Sequence, residues 1–173
     1  MITGIFGWQD CGKTLTMVAC AYQLYFGLGL EVPVGNVVLP NIKGAVALSI
    51  PALRVWMKRM IDEGLTNRII LIDEIDRVFP ARFWKDREQS EALIGLWQDV
   101  KLNNHVIYTA HIGVTVDVMI RSSTRIVVLP EYDKKSDTIE LMVFDGRYGL
   151  EDLNLLCDAS EWFGEYNRWQ IVR

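Results

Sequence analysis

The stretch IFGWQDCGKT, residues 5–14, constrains the fold more than any other part of this 173-residue chain. Gly7 is followed by four residues and then by Gly12, Lys13 and Thr14. Ahead of it MITGIF reads as a short apolar strand, and behind it KTLTMVACAYQLYFG carries apolar residues at helical spacing up to Gly27. A strand that turns through a glycine-bounded loop directly into a helix lays that helix on a sheet face, and the next strand then runs parallel to the first. The same loop lets backbone N–H groups approach phosphate oxygens at the helix N-terminus, where they lack partners within the helix. Lys13 offers a point charge to the outer phosphates, and Thr14 places a hydroxyl where Mg2+ must sit. The expected cradle comprises Gly7, Trp8, Gln9, Asp10, Cys11, Gly12, Lys13, Thr14 and Leu15, and its expected ligand is ATP with Mg2+. Cys11 is expected to be a small filler rather than a redox switch.

The rest of the chain continues the alternation. EVPVGNVVLPNI, rich in Val and punctuated by Pro and Gly, predicts a second strand with irregular edges. SIPALRVWMKRMIDEG predicts a helix with Ser49 as N-cap, Pro51 near the first turn and Gly64 as stop. RIILIDE is an apolar run ending in two carboxylates, the pattern of a central parallel strand buried on both faces. DREQSEALIGLWQDVKLNN predicts a helix with a charged outer face, and HVIYTA another buried strand. VTVDVMIRSS reads as a short helix or turn, TRIVVLP as a strand, and EYDKKSDTIELMVFDG as a hairpin with Lys134 and Lys135 at its polar tip. The expected fold is α/β, a P-loop NTPase with a mainly parallel central sheet flanked by helices and a C-terminal β-hairpin. One domain is expected over residues 1–173, its core at about 1–129 and the hairpin and an aromatic-rich tail at 130–173.

Half of the residues are apolar, enough for a proper core, which excludes a disordered chain. The formal charge of −4 argues against a protein that coats nucleic acid over its whole surface, while leaving room for a local basic rim. Cys11, Cys20 and Cys157 are odd in number with no paired metal spacing, and the first residues lack a basic segment and cleavage site for secretion. No run reaches the ~18 consecutive apolar residues of a membrane span. The expected location is the cytoplasm, that of the host if the protein is viral, with association with the virion as an extension.

The carboxylates of IILIDE carry the next step. Asp73 stands where the metal's water shell is held, and Glu74 beside it can take a proton from water attacking the γ-phosphate, which a hydrolase needs and a small-molecule kinase does not. The alternative is that Glu74 opens a solvated turn with Asp76 and Arg77. The strand HVIYTAHIG ends in Thr109 and His111, and in a parallel sheet that end shares an edge with the phosphates. One of the two is expected to sense the γ-phosphate; His111 can orient water or contact phosphate, or can serve as a structural hydrogen-bonding group. Arg121, Arg125 and Lys101 are candidates to reach a neighbouring subunit's nucleotide. Arg77, Arg82, Lys85 and Arg87, interleaved with Phe79, Phe83 and Trp84, suit nucleic-acid backbone contact or a subunit interface, with a partly buried aromatic loop as the alternative.

Taken in order, GWQDCGKT, GNVVLPNI, IILIDEIDRVFPAR and HVIYTAHIGVTVDVMIRSSTRIVVL resemble the FtsK/HerA-type ATPases that pump DNA, including the viral genome-packaging ATPases and the zonular occludens toxin-like assembly proteins of filamentous phages. The resemblance runs from Met1 to about Leu129, and the tail DASEWFGEYN is similar to the closing pattern of the toxin-like group. It implies a homo-oligomeric ring, commonly a hexamer, that hydrolyses ATP between subunits, drives double-stranded DNA through a central channel, and docks on a viral capsid or membrane-vertex protein. The family usually places Gln where His111 stands and an arginine finger near Lys101. Three readings follow: a DNA translocase that packages a viral genome, a toxin-like phage assembly or export ATPase, and a non-motor scaffold or regulator that turns ATP over slowly.

Overall fold

The structure, a computed structural model, describes residues 1–80, 91, 103–112, 116–146 and 151–158. The helix predicted from Asp86, the aromatic and basic connection beyond Pro80, Lys101 and the closing tail after Asp158 lie outside those residues, apart from Glu91, which is helical, Asn103 and Asn104.

The described strands form a sheet of eight. In chain order the elements are β1 (Ile2–Gly7), α1 (Lys13–Tyr22), which runs on as a π-turn over Gln23–Gly27, β2 (Val34–Gly35), β3 (Val46–Ala47), α2 (Ile50–Glu63) and β4 (Ile69–Ile72). There follow α3 (Ile75–Val78), β5 (His105–His111), α4 (Val118–Ser123), β6 (Ile126–Asp133), β7 (Thr138–Asp145) and β8 (Glu151–Asp158). Their spatial order is β3-β2-β4-β5-β1-β6-β7-β8. The first six run parallel to one another, and β7 and β8 complete the sheet antiparallel.

Alternation along each strand sends side chains to two cores. On one face Ile2, Ile70, Ile72, Val106 and Tyr108 meet Leu53, Met57 and Met60 of α2 and Ile120 of α4. On the other, Ile5, Ile69, Leu71, Ile107 and Val128 meet Met17, Val18 and Ala21 of α1. Leu53 and Met57 are fully buried, so truncating either to Ala would cost on the order of 2–5 kcal/mol through lost burial and the cavity left. Tyr108 crosses this layer to share a hydrogen bond of 2.7 Å with Thr124 after α4, and burial pushes its phenol pKa up to about 12.

The mainly parallel sheet with flanking helices is the architecture the sequence predicts. Three details differ. The Val-rich second segment is a strand over Val34–Gly35 alone, with an isolated bridge at Val37, and Val37, Leu39 and Ile42 fill the core under α1. The strand TRIVVLP does not stop at Pro130 but runs through Asp133 as the first arm of the hairpin, paired to β7 along its whole length. The segment that the sequence assigns to the tail begins with a further strand, β8, paired antiparallel with β7 from Thr138↔Asp158 to Phe144↔Glu151 with a register shift at Val143/Phe144.

Candidate functional site

Because β1, β2, β4 and β5 are parallel, their C-terminal ends share one edge, with Gly7 level with His111 and Ile72 level with Tyr108. The loop after β1 rises from that edge and enters α1 at Lys13. Gly12 caps the helix at φ 92°, a left-handed conformation that a side chain would strain, and a Cβ there would also meet Ile139 Cδ1 of β7 at 3.0 Å. Lys13 is only 8% exposed, and its Nζ donates to the carbonyls of Gly7, at 3.1 Å, and Trp8, so its charge is held inside the loop. Trp8 is 69% exposed at the rim. Burial pushes the Cys11 thiol up, against the pull of Lys13.

Asp73 follows β4 and is 3% exposed. Its Oδ1 accepts from Thr14 Oγ1 at 3.1 Å and from Thr109 Oγ1 at 2.6 Å. Its main chain is gripped by Asn36: Asn36 Nδ2 donates to the Asp73 carbonyl at 2.9 Å, and the Asp73 N–H donates to Asn36 Oδ1 at 2.7 Å. The amide thereby carries the β2–β4 ladder one rung further. Gly35 permits this approach, because a Cβ there would sit 2.2 Å from the Leu71 carbonyl oxygen. Burial raises the Asp73 pKa, offset in part by the two threonine hydroxyls and, more weakly, by Lys13, while Glu74 adds to the rise.

Glu74 takes a left-handed backbone at φ 53°, a costly conformation for a residue with a side chain, and its N–H donates to Thr109 Oγ1 at 2.8 Å. Its carboxylate lies between Arg77 Nε at 2.7 Å and His111 Nε2 at 3.6 Å. Arg54 on α2 anchors the turn that follows by donating from Nε to the Val78 carbonyl at 2.8 Å.

Of the residues singled out from the sequence, the structure gathers the Gly7–Leu15 loop, Asp73, Glu74 and His111 at one edge. Arg121 and Arg125 are not brought to their own chain's cradle. Arg125 precedes β6, and since β6 is parallel to β1 its first residues lie at the far edge, where the Arg125 N–H donates to the Ile2 carbonyl at 2.9 Å. Arg121 is exposed on α4. Asn36 and the threonine bridge of Thr109 were not derivable as partners of Asp73, since their contacts join distant strands. Arg77 carried a signal in its spacing, three residues after Glu74 on one helical turn.

A glycine-bounded loop between the central strand and its helix, faced by an acidic pair from a neighbouring parallel strand, defines a P-loop ATPase domain. The chain belongs to the ATPase family associated with various cellular activities (AAA), whose model matches residues 4–131. No curated protein matches the sequence. Among solved structures, the fold is similar to the N-terminal domain of zonular occludens toxin from Neisseria meningitidis, with a TM-score of 0.63 and 16% identity over 96% of this chain and 98% of that one. It is similar to the ATPase domain of G40P, with a TM-score of 0.63 and 9% identity over 95% and 83% of the two chains. The flagellar accessory protein FlaH from Methanocaldococcus jannaschii follows at 0.59 and 11%, covering 90% and 83%. Among the described residues no helix is long and apolar enough to cross a membrane.

Proposed function

We propose that the chain is one subunit of an ATP-driven translocase of double-stranded DNA, working as a homo-oligomeric ring, a hexamer by preference, that packages a viral genome. The observation that carries the catalytic part is the pairing of a buried Asp73, bonded to Thr14 of the loop, with Glu74 held next to it and facing His111. The DNA part rests on the sequence resemblance to the packaging ATPases.

Lys13 binds the outer phosphates and withdraws charge from the bond that breaks. Thr14 and Asp73 would hold Mg2+, which neutralises charge on the β- and γ-phosphates when bound. The donors suit that ion: a hydroxyl and a carboxylate are hard oxygen ligands, and Mg2+ takes one or two protein carboxylates plus phosphate oxygens rather than an all-protein cage. Glu74 accepts the proton of the attacking water, with Arg77 and His111 fixing the direction of its carboxylate. Arg121 and Arg125, away from their own cradle, are left as candidates to act on a neighbour's nucleotide.

The likeness to the zonular occludens toxin domain over nearly the whole of both chains supports a second reading, a phage assembly or export ATPase. ATP turnover with and without double-stranded DNA, measured with the mass of the assembly in Mg-ATP, separates the two. The translocase requires stimulation by DNA and a mass several times that of one chain. DNA-independent turnover by an assembly favours the second reading, and a monomer indifferent to DNA overturns both in favour of a slow scaffold or regulator.

A further inference from the structure

Tyr108 stands one residue before Thr109 on β5, so the strand that brings Thr109 to Asp73 and Glu74 sends the neighbouring side chain to the sheet face covered by α2 and α4. Gly4 makes the slot for its ring: a Cβ there would stand 2.7 Å from Tyr108 Cζ and Oη. Phe6 meets the ring edge to face, with centroids 5.7 Å apart. The phenol ends on Thr124, and the direction of that bond follows from the protons available. Thr124 Oγ1 carries one proton and donates it to the Ile120 carbonyl at 2.9 Å, so in the 2.7 Å bond Tyr108 donates and Thr124 accepts. The Thr124 N–H donates to the Arg121 carbonyl at 3.3 Å, so one threonine closes the last turn of α4 and ties it to β5.

α4 has six residues and buries only Ile120, while Val118, Met119, Arg121 and Ser122 are exposed. So short a helix with one buried anchor has little of its own to fix its orientation. Its two ends supply that: Asp117 Oδ1 accepts from the Met119 N–H at 2.8 Å at the start, and Tyr108 holds the finish. Burial raises the phenol pKa to about 12, against the pull of the Thr124 bond and of the Arg121 charge, which is close enough to act on the same hydroxyl. Arg121 itself forms no ion pair among the described residues. We propose that Tyr108 is the positioning residue for Arg121: by pinning α4 to the strand that ends in Thr109 and His111, it fixes where the guanidinium meets a neighbouring subunit's nucleotide. The proposal rests on the reading of Arg121 as a group that acts in trans. Arg125 is set by the sheet instead, since its N–H donates to the Ile2 carbonyl and its own carbonyl accepts from the Gly146 N–H at 2.6 Å.

The test is a double-mutant cycle of Tyr108→Phe with Arg121→Ala, read as steady-state turnover of the assembled protein at saturating Mg-ATP, with Mg-ATP affinity measured alongside by calorimetric titration. Phe is the clean substitution, because it keeps a ring in the Gly4 slot and removes a donor whose loss leaves Thr124 still bonded to Ile120. Arg121→Ala is expected to lower turnover on the order of 10³-fold and Tyr108→Phe on the order of tenfold, with ATP affinity unchanged in both. In the Arg121→Ala background Tyr108→Phe should cost nothing further, because its effect passes through the arginine. Losses that multiply in the double variant, or a fall in ATP affinity with Tyr108→Phe, would make the tyrosine a support of its own chain's site and overturn the proposal, as would full turnover in Tyr108→Phe. Full turnover in Arg121→Ala would overturn the trans reading of Arg121 and the proposal together, a pattern distinct from the others.

Discussion

The parallel half of the sheet and the β6–β7 arm are both rich in side-chain hydrogen bonds, but the bonds have opposite reach. Around Asp73 and Glu74 they join residues 35 to 59 positions apart: Thr14 to Asp73, Asn36 to Asp73, Thr109 to Asp73 and Glu74. On the arm they join residues two to five apart: Tyr132 to Asp137, Lys135 and Ser136 to Asp133, Ser136 to Thr138. Long-range bonds fix strand ends relative to one another and so set the geometry of a site, whereas local bonds shape one turn. Damage to the first network should therefore appear in ligand binding and turnover, and damage to the turn bonds of Asp133, Ser136 and Thr138 in local stability alone.

The sharpest contrast is expected from Lys13→Ala, which removes a shielded cation from the loop and should weaken Mg-ATP binding on the order of a hundredfold or more while the fold survives. Calorimetry together with a thermal melt checks both halves of that statement. Thr109→Val comes next. It leaves the Glu74 N–H without its acceptor and takes one donor from Asp73, so turnover should drop roughly tenfold and stability by about 1–3 kcal/mol, read from steady-state kinetics and urea unfolding. Thr109→Ser should restore most of both.

Asp73→Asn should act in the opposite direction on stability. Burial raises the folded pKa of Asp73, so folding favours its protonated form: the penalty is absent below the usual carboxylate range and grows as pH rises through the folded pKa. Measured in EDTA, the Asn variant should melt above the wild type at neutral pH, with the gap opening as pH rises above the usual carboxylate range and closing in acid. Ser136→Ala on the arm should change stability by less than about 0.5 kcal/mol and leave turnover untouched.

The same difference in reach explains what the sequence disclosed. The loop from Gly7 to Leu15, the strand ending in Asp73 and Glu74, and the hairpin turn are local patterns, each readable within a dozen residues. The grip of Asn36 on Asp73 is not, because nothing in GNVV tells which distant strand end its amide will meet. Arg125 shows a step that topology alone could have supplied: a residue that opens a strand parallel to β1 sits at the edge away from the phosphates. EDLNLLCD carries no strand signal of its own, because polar residues interrupt its apolar pattern, and β8 finds its place by pairing with β7. β3, two residues long, is recruited to the sheet by β2 rather than by any strand signal of its own.

The central claim is that Glu74, posed by Thr109 and facing His111, activates water for attack on the γ-phosphate of a nucleotide held by the loop. A single-turnover measurement on Glu74→Gln, following phosphate release and bound ATP in the same sample, tests it most directly. The account predicts that ATP stays bound with near wild-type affinity while the hydrolytic step slows by ~10²-fold or more, the worth of a general base. Hydrolysis at the wild-type rate would contradict it and pass the role to another group at that edge.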